Sequence, residues 1–100
     1  MQDLIHPDAK FTEETRKKYQ EQGGFSINPL LTSDATQKIR NHVSGMLERV
    51  HPAVGVDNII GAHTHDPVLL DLCAQPRLLD IIEQMVGPDV VLWSSHIIAK

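Results

Sequence analysis

Hydrophobic positions recur at three- and four-residue spacing through most of the chain and run together only near its end. Ala35, Ile39, Val43, Met46, Leu47 and Val50 form one apolar stripe, the pattern of an amphipathic helix. Thr32 or Ser33 is placed to cap that helix, Asp34 suits its first turn, and Pro52 ends it. Gly45 costs the helix some stability and permits close packing. A shorter helix is predicted from Thr12 as N-cap to about Gln22, with Gly23 as its left-handed stop. Its apolar content is chiefly Phe11 and Tyr19, so it should lie on the surface and pack weakly.

Asp66 followed by Pro67 starts a third helix, and Pro76 starts a fourth, since proline is pre-organised for the first helical position. Val68, Leu69, Leu72 and Cys73 face inward from one. Leu78, Leu79, Ile82, Met85 and Val86 do so from the other, and Gly87-Pro88 closes it. Residues 1–10, interrupted by Pro7, read as a flexible lead-in. Gly24 to Ile27 reads as a brief extended piece.

Val90 to Ala99 then reads as a strand, filled by Val, Leu, Trp and Ile with no breaker inside. Alternation puts Val90, Leu92, Ser94, His96, Ile98 and Lys100 on one face, and Val91, Trp93, Ser95, Ile97 and Ala99 on the other. Both faces are mainly apolar, so the strand should be covered on both sides and paired at its edges. Phe25 to Ile27 is too short to pair it. The expectation is that residues 1–100 are the front part of a larger single domain.

Composition narrows the classes. A hydrophobic fraction of 41% is ordinary for a globular protein, and a net charge of −4 argues against nucleic acid or an anionic membrane as partner. The basic run Arg16-Lys17-Lys18 is interleaved with Glu13, Glu14 and Glu21, and its i,i+4 pairs, Glu13 to Lys17 and Glu14 to Lys18, suit a solvated helix face. Cys73, the single cysteine, cannot form an internal disulfide and sits in an apolar stripe as a small buried hydrophobe. Residues 1–10 lack the basic and apolar regions of a signal peptide, and no apolar run reaches membrane length. A cytoplasmic location is the expectation.

Candidate chemistry is sparse. Ile59-Ile60-Gly61-Ala62-His63-Thr64-His65 resembles the end of a metal-hydrolase strand, where alternation turns two imidazoles to one side. The plainer reading is two loop histidines before a capped helix. His42 lies beside the apolar stripe as a boundary histidine, while Asp80 and Glu83 face solvent. Ser94 and His96 share a strand face without a third group to orient the imidazole. Lys100 closes an apolar strand, and an enclosed ammonium there calls for an anion or a route to water.

Several stretches, taken in order, resemble the opening of the phytanoyl-CoA dioxygenase family of non-haem iron, 2-oxoglutarate-dependent oxygenases. They are the helix before Gly24-Phe25, the step Asn28-Pro29-Leu30-Leu31, and Asp66-Pro67-Val68-Leu69-Leu70-Asp71-Leu72. Pro76-Arg77-Leu78-Leu79-Asp80-Ile81-Ile82, Val86-Gly87-Pro88-Asp89-Val90-Val91-Leu92-Trp93 and Ile97-Ile98-Ala99-Lys100 complete the likeness, which covers about residues 11–100. The resemblance implies an α+β fold, with amino-terminal helices leading into the first main strand of a double-stranded β-helix. It implies a hydroxylase of a small-molecule substrate that uses Fe(II) and converts 2-oxoglutarate to succinate. Lys100 would contact 2-oxoglutarate, and His96 and Ile98 would look toward the pocket. Residues 11–100, which carry the resemblance, contain no iron-binding His-x-Asp or His-x-Glu step, and that step and the later histidine are expected beyond them. The alternatives are a free-standing helical binding or dimerisation module and, third, a metal-dependent hydrolase using His63 and His65.

Overall fold

The computed structural model describes residues 3–49 and 59–98. Along them run α1 (Glu13–Gln22), α2 (Ser33–Arg49), β1 (Ile59–Ile60), a 3-10 turn (Ala62–Thr64), α3 (Pro67–Cys73), α4 (Pro76–Val86) and β2 (His96–Ile97). β1 and β2 pair antiparallel, with Ile59 opposite Ile97 and Ile60 opposite His96. The described chain is a mixed fold of helices with one short two-stranded sheet, α+β in class. No helix among the described residues is long and apolar enough to cross a membrane.

Helix boundaries follow local chemistry. Thr12 caps α1 through a reciprocal box with Thr15, and Gly23 ends it at φ 77, where a side chain would be strained. α1 buries none of its residues, as its thin apolar content predicts. It is held instead by Arg16 lying 5.0 Å over the Phe11 ring and by Tyr19 edge-on to Phe25. Glu14 pairs with Lys18 as expected, but Glu13 turns to Arg16, three residues on. Thr32 is the cap of α2, its hydroxyl accepting the Ala35 N–H at 3.0 Å. The expected stop at Pro52 lies outside the described residues.

Residues 3–10 are not the flexible lead-in expected. Leu4 and Ile5 are each 1% exposed, and Ile5 forms an antiparallel bridge with Leu31. Ile5, Ala9, Phe11 and Ile81 form one apolar cluster, with Phe25, Ile27, Leu30, Leu31, Leu78 and Met85 packed around it. Polar anchors on α4 and just before it explain why this proline-broken segment is fixed. Gln75 Oε1 accepts the Leu4 N–H at 2.8 Å. The Arg77 guanidinium donates to the carbonyls of Ile5, His6, Pro7 and Ala9 at 2.8–3.2 Å. A chain without regular structure can be buried only when its backbone groups find such partners.

A second cluster joins Met46, Ala62 and Leu69, with Val43, Ile59 and Ile97 against it. It ties α2 to the sheet and to α3. α4 turns Ile81 into the first cluster rather than making Ile82 and Val86 its deepest positions; Val86 is exposed. Asp80 and Glu83 face solvent as expected.

The expected strand from Val90 to Ala99 is regular only at His96–Ile97. Its partner is the Ile59-Ile60 step rather than Phe25 to Ile27. Val91 is 85% and Trp93 93% exposed, so the two faces are not both covered here. Two residues on β1 can hold only two on β2, and the apolar residues before β2 have no ladder to align them. Ala99 and Lys100 lie outside the described residues.

Candidate functional site

The richest polar region lies where β1 turns into α3 beneath α2. Gly61 adopts φ 72, a left-handed conformation that glycine enters without a Cβ clash, and so redirects the chain from β1 into the 3-10 turn. Its N–H donates to the Ser95 carbonyl at 2.8 Å, extending the ladder by one bond. That contact brings Ser95 over His63. His63 N–H approaches Ser95 Oγ at 3.4 Å, and His63 Nδ1 shares a 2.5 Å hydrogen bond with the same hydroxyl.

Asp66 has two duties. Its Oδ1 accepts the N–H groups of Val68 and Leu69 at 3.0 and 3.1 Å, the N-cap predicted from the Asp-Pro step. Both carboxylate oxygens also face His42 Nε2, at 2.9 and 2.8 Å, so that this nitrogen donates across the gap between α2 and α3. Burial pushes the Asp66 carboxyl up. The His42 hydrogen bond, the Leu69 N–H, the His42 charge and the Val68 N–H together outweigh it and hold the group below its ordinary value. His42 sits at the boundary as expected, and it is also an inter-helix contact through Asp66. Its spacing carried the signal, since Ala35, Ile39, His42 and Met46 follow one helical face.

His63 and His65 are not a strand pair. His63 lies in the 3-10 turn and His65 follows as its C-cap, so strand alternation does not turn them to one side. His63 Nδ1 is engaged by Ser95, and His65 Nδ1 lies 3.4 Å from Thr64 Oγ1. Among the described residues no group of three His, Cys, Asp or Glu side chains is placed to hold a metal ion. An iron centre therefore does not fit these residues by themselves.

The expected pocket residues His96 and Ile98 are both exposed, and Ile98 lies just past the end of β2. Lys100 lies outside the described residues. The chain before β2 runs along the helices, where Val90, Val91 and Leu92 with Cys73, Leu78, Leu79 and Ile82 line an apolar cleft of about 310 Å³. Cys73 is half-buried there, less enclosed than the buried hydrophobe expected. Sequence reasoning missed Gln75 and Arg77, whose partners lie some seventy positions away and leave no local periodic trace.

No family model matches the chain, and neither does any curated protein or solved structure.

Proposed function

We propose that residues 1–100 are the amino-terminal helices and first main strand of an Fe(II)- and 2-oxoglutarate-dependent oxygenase of the phytanoyl-CoA dioxygenase type, hydroxylating a small molecule. One observation carries the reading. Val90, Val91 and Leu92 line a cleft with α3 and α4, and Val91, Trp93 and Ile98 are exposed, the last at 64%. Exposed apolar side chains flanking a two-residue ladder suit a larger sheet laid over them. In this reading the helices are the outer support of a double-stranded β-helix, and Lys100 meets the 2-oxoglutarate carboxylate. The iron ligands belong to later sequence, because the described residues offer no metal-holding group.

The test uses protein made from the whole reading frame containing these residues. Loaded with Fe(II), it should bind 2-oxoglutarate and release succinate, and Lys100→Ala should weaken cosubstrate binding about tenfold, the loss of one charge-assisted contact. Absence of 2-oxoglutarate binding in the parent protein would reject the reading; unchanged affinity in the variant would remove Lys100 from the site.

The same exposed pair, Val91 and Trp93, favours a second reading, a helical module whose apolar ribbon is completed by a partner chain. Concentration-dependent association of the whole-frame protein, lost on Trp93→Ser, would favour it over the oxygenase.

A further inference from the structure

A cleft of about 230 Å³ opens where the last turns of α2 meet β1 and the start of α3, lined by Met46, Arg49, Ile59, His65 and Asp66. Arg49 does not simply reach away from the helix. A Cβ built on Gly45 would meet Arg49 Nη1 at 3.3 Å, so the guanidinium lies back along α2 over the glycine one turn earlier. Glycine inside a helix costs about 1 kcal/mol relative to alanine. Here the missing side chain leaves room for the end of the Arg49 side chain, which a Cβ would displace by a few tenths of an ångström.

That cation has no protein anion among the described residues, since none of their ion pairs includes Arg49. Asp66, the acid in the wall, already accepts from His42, Val68 and Leu69. Met46 and Ile59 supply the apolar part of the lining. The space equals the liquid volume of several waters, each about 30 Å³, which suits a ligand of a few heavy atoms.

We propose that this cleft binds a small monocarboxylate, its charged end against Arg49 and His65 and its short apolar body against Met46 and Ile59. The planar guanidinium matches a carboxylate through paired N–H donors. The Asp66 carboxylate in the wall and the chain's net charge of −4 disfavour more highly charged anions. The proposal does not depend on the oxygenase reading.

Butyrate titrated into the isotope-labelled protein should produce saturable shifts of the His65 imidazole and the Arg49 Nε–H resonances. Arg49→Gln should weaken binding about tenfold, the loss of a charge-assisted pair. Gly45→Ala separates site from scaffold: a purely structural glycine would only raise the melting temperature on replacement, whereas a seat for Arg49 also loses several-fold in butyrate affinity. Inorganic phosphate should bind more weakly than butyrate. Absence of saturable shifts, affinity unchanged in either variant while thermal denaturation shows it folded, or phosphate binding tighter than butyrate would overturn the proposal.

Discussion

Gln75 Oε1 accepts the backbone N–H of Leu4 at 2.8 Å, and the two residues are 71 positions apart in the chain. Gln75 is completely buried, and its Nε2 donates in turn to the Asp71 carbonyl at 3.2 Å. One side-chain amide thus joins the amino-terminal strap to the link between α3 and α4. Gln75→Leu keeps similar bulk but leaves the Leu4 N–H without its acceptor in a water-excluded position. The expected loss is about 1–3 kcal/mol, read from chemical denaturation. A change below the precision of such a curve would mean the strap is held by apolar packing alone.

Arg77 holds the same strap by a different geometry. Its fork reaches the carbonyls of Ile5, His6, Pro7 and Ala9, which a single ammonium cannot cover. Arg77→Lys should therefore behave much like Arg77→Ala, with faster amide exchange at His6, Ala9 and Leu4. By contrast, Asp3 lies 3.9 Å from Arg77 and is 59% exposed, so Asp3→Asn should change stability by less than about 0.5 kcal/mol. Full rescue of exchange protection by lysine would contradict the fork.

Acid should loosen the join between α2 and α3. The Asp66 carboxyl titrates below its ordinary 3.8 in the folded chain, so its stabilising contribution is fully present above that value. It is lost as pH falls below 3.8 through the folded value, because the unfolded chain takes up the proton first. His42→Ala removes two of the influences that lower the group and leaves burial in place, so the Asp66 carboxyl should titrate higher. Carbon-detected NMR titration of the Asp66 side chain reads this directly. An unshifted midpoint in the variant would show that the two helix N–H groups alone set it.

Trp93 is the sole tryptophan and is 93% exposed, which makes it a reporter. Residues 1–100 alone should show red-shifted emission readily quenched by acrylamide. Protein from the whole reading frame should show blue-shifted, protected emission if the ribbon is covered by further sheet. Identical spectra and quenching in the two would argue against any such cover.

The helices were legible because their signals are local. Thr12, Asp66-Pro67, Pro76, Gly23 and Gly87 act within one turn of the ends they mark, and each end falls where those residues place it. The strap was illegible for the opposite reason. Leu4 and Ile5 are buried by groups on and beside α4, and nothing within the first ten residues announces them. Strand propensity from Val90 onward overstated β2, because propensity describes a side chain's fit to a pleated surface and the described residues supply only Ile59 and Ile60 as its partner. Asp66 was visible as a cap but not as the partner of His42, since the cap lies within three residues and the pairing spans 24.

Since Gln75 and Arg77 grip main-chain atoms, the identities of His6, Pro7 and Asp8 are weakly constrained while their number is not. A mutational scan across this stretch should therefore tolerate most replacements yet reject one-residue deletions and insertions. Such a change slides every carbonyl past the guanidinium and pulls Ile5 out of line with Leu31, so length is what selection would guard here.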